Sequence, residues 1–260
     1  MLIAITRAVS PKLADCEVSF QERQPIDVAL AMQQHASYQA ALAALGAHVV
    51  TLPALPDHPD CVFVEDPALV LDEVAIITRM GAESRRGESV TLAEAVAQHR
   101  ELLYVEAPAT LEGGDVMRIG KTLYVGLSKR TNITGIQQLA RLLEPFGYWV
   151  TPVGLRGCLH LKSACCHLGN NTVLANRAWL DLDAFCGIQF LDVPSSEPHA
   201  ANALRIGDTI LLPSSYPATR ALLESNGFRV RAVDTSELIK AEAGVTCMSL
   251  LFTATTPATL

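Results

Sequence analysis

The sequence predicts an α/β fold in which five strand–strand–helix–strand units form one domain over residues 1–260. Three observations carry that prediction: a hairpin that occurs twice, a helix–turn–strand segment downstream of each copy, and the lack of any Pro-, Gly- or Ser-rich linker long enough to divide the chain. A unit of about 50 residues cannot bury its own apolar face, so the five must pack against one another; radial closure is one arrangement that leaves few strand edges exposed.

Taken in order, the first unit ends in Ala40 to Leu52, a helical segment, a turn at Gly46 and a strand. The second opens with the apolar run from Val62 to Thr78. The third holds Arg118-Ile119-Gly120-Lys121-Thr122-Leu123-Tyr124-Val125, two alternating strands about a glycine turn, followed by Leu142 to Val150 with its turn at Gly147. Leu159 to Val193 forms the fourth. The fifth repeats the hairpin as Arg205-Ile206-Gly207-Asp208-Thr209-Ile210-Leu211-Leu212 and the helix–turn–strand as Leu222 to Val230 about Gly227.

Composition narrows the function. Half of the 260 residues are apolar and 18% are charged, enough for a buried core without staples. Twenty basic against 27 acidic residues give a net charge of −7 with no Lys or Arg run, which argues against nucleic acid as a partner. Met1 to Arg7 lacks a signal-peptide core, and no apolar run reaches the ~18 residues of a membrane span, so a cytoplasmic protein with no membrane partner is expected. The seven cysteines form no CxxC pair and read as reduced thiols. Cys165-Cys166-His167 would point to opposite faces of a strand, with no second ligand pair at zinc spacing; buried small hydrophobes, not a metal site, are expected there.

Four clusters offer chemistry. Cys247, in Gly244-Val245-Thr246-Cys247-Met248-Ser249-Leu250 at the tail of the fifth unit, is a candidate nucleophile, although a single Cys is often a buried filler. His160 alternates with Leu159 and Leu161 at the head of the fourth unit and is a candidate acid/base. Glu112 precedes Gly113-Gly114, a pair that permits close backbone approach or an ordinary turn. Asp60, Glu65 and Asp66 bracket one apolar strand, where solvated loop acids are the plainer explanation. All four clusters fall at a start or end of a unit, where a ring would bring its units together.

These motifs together resemble the dimethylarginine dimethylaminohydrolase family of the guanidine-modifying, or pentein, superfamily. The likeness runs nearly end to end, through Phe63-Val64-Glu65-Asp66-Pro67, Gly81-Ala82-Glu83-Ser84-Arg85-Arg86-Gly87-Glu88, Glu112-Gly113-Gly114-Asp115-Val116, Ser128-Lys129-Arg130-Thr131-Asn132, Leu159-His160-Leu161-Lys162, Ala200-Ala201-Asn202 and Cys247-Met248-Ser249-Leu250. It implies a fivefold pseudosymmetric α/β-propeller of ββαβ units, a hydrolase needing no cofactor or metal, and a methylated arginine as small-molecule substrate. It further implies Cys247 as nucleophile, His160 as general acid/base and Glu112 as its orienting carboxylate. Asp60, Glu65 and Asp66 become the guanidinium-binding set, Arg85 and Arg130 the grips on the substrate carboxylate, and a homodimer is suggested.

One departure falls in an N-terminal loop that in the family closes over the substrate. Glu17 stands where a leucine offers its carbonyl to the substrate ammonium, and an added carboxylate there could alter the amino acid preferred; a second carbonyl contact is expected near Ala241. Two rivals share the superfamily. Arginine deiminases use the same chemistry on unmethylated arginine but are usually longer, and the ribosomal anti-association branch lacks the nucleophile and its partners.

Overall fold

The computed structural model describes residues 1–254. The first unit runs from β1 (Leu2–Arg7) through α1 (Val28–Ala44) to β2 (His48–Leu52). Asp27 starts α1 by accepting the Leu30 N–H, one of the donors a helix leaves orphaned at its first turn. Gly46, at φ +92°, turns the chain back, and β2 pairs parallel to β1 as a helical crossover requires. The second unit comprises β3 (Ala68–Val70), β4 (Val74–Ile77), α2 (Ser89–Ala97) and β5 (Glu101–Tyr104). The third comprises β6 (Val116–Ile119), β7 (Thr122–Leu127), α3 (Ile133–Leu143) and β8 (Trp149–Gly154).

The fourth unit begins with the single turn α4 (Leu161–Ala164) and continues in β9 (Cys165–Gly169), β10 (Thr172–Ala175) and β11 (Gln189–Asp192). The fifth comprises β12 (Leu204–Ile206), β13 (Thr209–Pro213), α5 (Pro217–Ser225) and β14 (Arg229–Val233); the short α6 (Ser236–Ile239) and β15 (Leu250–Thr253) follow. Five three-stranded sheets result, each with a central strand antiparallel to one neighbour and parallel to the other.

Two details correct the repeat as read from sequence. β15 pairs with β1, Leu2 opposite Thr253, so the end of the chain supplies the first strand of the first unit. Cys247 thus stands at the head of that unit, not at the tail of the fifth. The fourth unit has no helix between β10 and β11; two 3-10 turns, Arg177–Trp179 and Leu182–Ala184, make the crossover.

Closure follows from strand alternation. Successive side chains on a strand point to opposite faces, so each central strand feeds two cores. On β1, Ile3 and Ile5 pack with Ala75 and Ile77 of β4, while Ala4 packs with Ile206 and Leu211 of the fifth unit. Ile76 of β4 faces Leu123 and Val125 of β7, and Tyr124 faces Val173 and Cys165 of the fourth unit. Leu174 of β10 in turn meets Ile210 and Leu212 of β13. Each of the five cores therefore lies between two units, and the series returns to its start. The first strands β15, β3, β6, β9 and β12 line one cavity of about 390 Å³ through Leu251, Leu69, Met117, His167 and Leu204.

Truncating a core residue such as Leu123, fully buried, to Ala would cost about 2–5 kcal/mol. More important for function, the segments just before the five first strands carry Asp66, Glu112, His160, Asn202 and Cys247. The fold collects these segments at one end of the ring.

Candidate active site

Glu112 immediately precedes the 3-10 turn Gly113–Asp115 that leads into β6, and its side chain has no solvent exposure. Oε2 lies 2.8 Å from Nε2 of His160, while Oε1 accepts the Gly81 N–H at 3.0 Å. His160 caps the turn α4 in an extended conformation and is itself buried. Its Nδ1 faces Oδ1 of Asp66 at 3.9 Å. Burial disfavours the imidazolium, but Asp66, Asp115 and Glu112 outweigh it and raise His160 to about 9. The fold therefore favours the protonated imidazole at neutral pH.

Asp66 is buried and accepts from Arg85 Nη1 at 2.8 Å and from the Gly114 N–H at 3.1 Å. Gly114 has no room for a side chain: a Cβ would stand 2.6 Å from His160 Nδ1 and 2.7 Å from Asp66 Oδ1. Gly114 thus lets His160 and Asp66 approach across the backbone, while at Gly113 a Cβ would strike the Glu65 carbonyl at 2.0 Å.

Cys247 is half-buried in the turn before β15, with the Gly244 N–H 3.3 Å from its Sγ. Its carbonyl accepts the Glu65 N–H at 3.1 Å, which ties the Cys247 turn to the segment bearing Asp66. Burial, with Glu65 and Asp66 adding to it, pushes the thiol well above its ordinary value. Asp66 thus acts electrostatically on both Cys247 and His160.

Glu65, expected beside the substrate guanidinium, is turned to a lysine and a threonine. Its Oε1 pairs with Lys162 Nζ at 2.5 Å and its Oε2 accepts from Thr246 Oγ1 at 2.8 Å. Asn202 completes the network, donating to Lys162 O and Thr246 Oγ1 at 3.0 Å each and accepting the Thr246 N–H. Composition and spacing gave Lys162, Asn202 and Thr246 no role; the signals were the place of Lys162 and Asn202 in the motifs that carry the family resemblance and of Thr246 next to Cys247.

The two arginines differ. Arg85 is buried and engaged: Nε and Nη2 grip Glu88, Nη1 reaches Asp66, and Nη2 also meets Phe63 O. That leaves it one N–H of the five for a further partner. Arg130, also buried, touches Glu112 only loosely, at 3.5 Å to each oxygen. Asp60 accepts the Glu17 N–H at 3.1 and 3.3 Å. The Glu17 carboxylate points to Ser84 Oγ at 2.6 Å, anchoring the loop, and Ala241 lies buried just beyond α6.

Cys165 and Cys166 are buried, with Cys165 against Met117 and Cys166 against Lys162 O. Among the described residues the trio Asp66, Glu112 and His160 brings donor atoms within 4.8 Å of one another, a spacing a metal ion could span. Those atoms are engaged with one another and with Arg85 and the Gly114 N–H.

The chain is similar to known proteins in sequence and in fold. The arginine deiminase family model matches residues 26–175. N(G),N(G)-dimethylarginine dimethylaminohydrolase of Pseudomonas aeruginosa is 39% identical over 250 residues, covering 95% of this chain and 98% of the relative. The chain belongs to the dimethylarginine dimethylaminohydrolase family. The Streptomyces coelicolor member is 42% identical, with 95% of each chain covered. A dimethylarginine dimethylaminohydrolase structure from Pseudomonas aeruginosa, a cysteine-to-serine variant complexed with citrulline, superposes with a TM-score of 0.92 at 38% identity over 96% of this chain and 98% of that one. The N-terminal domain of the cyanobacterial arginine dihydrolase ArgZ shares the fold at 20% identity, with a TM-score of 0.84 over 96% of this chain and 98% of that domain.

Proposed function

We propose that this chain hydrolyses N-omega-methylated arginines to citrulline and a methylamine through a covalent thiouronium on Cys247, without a cofactor. The observation that carries the reading is His160 bonded to Glu112 and facing Asp66, whose segment is tied through the Glu65 N–H to the carbonyl of Cys247. Relatives named for this activity at 39% and 42% identity support the substrate class.

A guanidinium titrates at about 12.5 to 13.8 and is a poor electrophile with a poor leaving group. Asp66, with Asp60 and Glu65 as the surrounding acids, holds the flat cation by charge-assisted hydrogen bonds. Burial, with Glu65 and Asp66, opposes the Cys247 thiolate; the arriving cation reverses that balance and the thiol proton leaves to solvent. The thiolate attacks the central carbon, and His160 gives its proton to the departing methylamine as the C–N bond breaks. Neutral His160 then takes a proton from water, the hydroxide adds to the thiouronium carbon, and as the C–S bond breaks the new hydroxyl gives its proton to the departing thiolate, which leaves citrulline and the Cys247 thiol. Arg130 supplies the main grip on the substrate carboxylate and Arg85 at most a single N–H, while the Glu17 and Ala241 carbonyls face the ammonium.

Arg7 and Arg100 are both buried and bonded within the fold, and no helix among the described residues is long and apolar enough to cross a membrane. The seven cysteines stand free, as a cytoplasmic enzyme would keep them. The test is a side-by-side assay of dimethylarginine, monomethylarginine and arginine: methylated substrates are expected to give the higher kcat/KM. A preference for arginine, with ammonia released, would favour the deiminase reading instead.

A further inference from the structure

The loop of residues 16–21 crosses from the Asp60 side of the site to the segment that carries Cys247. At its near end the Glu17 N–H is held by Asp60 and its carboxylate by Ser84. Arg23 rivets the neck through Ala14 O and Cys16 O. At its far end three successive backbone N–H groups, from Ser19, Phe20 and Gln21, converge on Oε1 of Glu242 at 3.0, 2.5 and 2.8 Å. Gln21 adds a side-chain bond to Ile239 O. Phe20, Gln21, Glu242 and Gly244 line one small cavity of about 150 Å³ beside the nucleophile turn.

Glu242 occupies an unfavourable position for its own backbone. It follows α6 at φ +59°, and the N–H groups of Glu242 and Ala243 fold back on Ile239 O and Leu238 O. A helix end of this kind takes glycine most readily, because a Cβ is penalised in the left-handed region. A glutamate kept there points to work done by its side chain. Two links run from it to the chemistry: Ala241 is its neighbour, and the same segment supplies the Gly244 N–H to Cys247 Sγ.

We propose that Glu242 is a positioning residue that latches the loop of residues 17–21 shut over the nucleophile turn, so that closure of the site and the setting of Cys247 occur together. The charged acceptor gathers three amides that water would otherwise solvate, and the loop is released when that acceptor is removed. The kinetic part of this inference rests on the proposed function; the latch itself does not.

The test uses the full chain with Glu242→Gly, which the left-handed backbone accommodates, and Glu242→Gln, which keeps an oxygen but no charge. Amide hydrogen exchange at residues 19–21 and alkylation of Cys247 by iodoacetamide, located by peptide mapping, are measured without substrate. In Glu242→Gly both should quicken about tenfold or more, with Glu242→Gln between it and the wild type, while circular dichroism stays unchanged. KM for a methylarginine should rise more than kcat falls. Should Glu242→Gly fail to fold, Glu242→Gln decides. Wild-type exchange and alkylation rates in a folded variant would overturn the latch. A wild type that ignores methylarginines while the variants still open would instead overturn the proposed function.

Discussion

Nε2 of His160 stands 2.8 Å from Oε2 of Glu112, a carboxylate sealed from solvent. Burial opposes both charges, yet Asp66, Asp115 and Glu112 raise the imidazole to about 9, and His160 with Arg85 and Arg130 lowers Glu112 to about 2. Because the folded His160 lies above its ordinary 6.5, its stabilisation is complete below that value and lost as pH rises through about 9. Because Glu112 lies below its ordinary 4.5, its stabilisation is complete above that value and lost as pH falls toward about 2. The Tm advantage of the wild type over Glu112→Gln should be widest between pH 4.5 and 6.5 and narrow on both sides. Thermal unfolding across that range checks it; a pH-independent gap would contradict the pair.

The same substitution should alter catalysis. Without the Glu112 charge the imidazolium loses a stabilising partner, so the alkaline limb of kcat/KM moves from about 9 toward 6.5. kcat should fall by about 10²-fold or more, the usual weight of a general acid that has lost its setting. An unchanged limb in a pH–rate profile would remove His160 as the acid.

Arg130 and Arg85 should separate by kind of effect. Arg130→Ala is expected to raise KM about tenfold or more with a smaller change in kcat, because Arg130 is bound only loosely by Glu112. Arg85→Ala strips Asp66 and Glu88 of their shared partner at a site 5% exposed, and should cost about 3–5 kcal/mol of stability. Steady-state kinetics and denaturant unfolding of both variants check the contrast. Equal effects on KM and stability would erase it.

Gly114→Ala should be nearly as damaging as loss of a catalytic group. Its Cβ would meet His160 Nδ1 at 2.6 Å and Asp66 Oδ1 at 2.7 Å, forcing the two side chains out of place. A displacement of that order lowers kcat by about 10²-fold. Wild-type kcat in a folded Gly114→Ala would show that the two side chains need not approach so closely.

The repeat was legible because β6–β7 and β12–β13 carry nearly the same letters around Gly120 and Gly207. The site was legible in outline because its residues sit at corresponding places in successive units. What the letters hid was non-local. The pairing of β15 with β1 spans the whole chain, and nothing within Leu250 to Thr253 names its partner. The missing fourth helix leaves Asn176 to Ile188 with enough length for a crossover and no local mark of the two 3-10 turns that replace it. That Arg85 is held by Glu88 and Asp66 is likewise hidden, because the Asp66 segment reaches it only in the folded chain.

The central claim is that a sulfur and an imidazole from distant units act on one flat cation. Intact-protein mass after incubation with a haloacetamidine, followed by a peptide map, tests it most directly. A single adduct on Cys247, absent from Cys247→Ser and suppressed by a methylated arginine, is the expected result. An adduct on another residue, or turnover retained by Cys247→Ser, would contradict it.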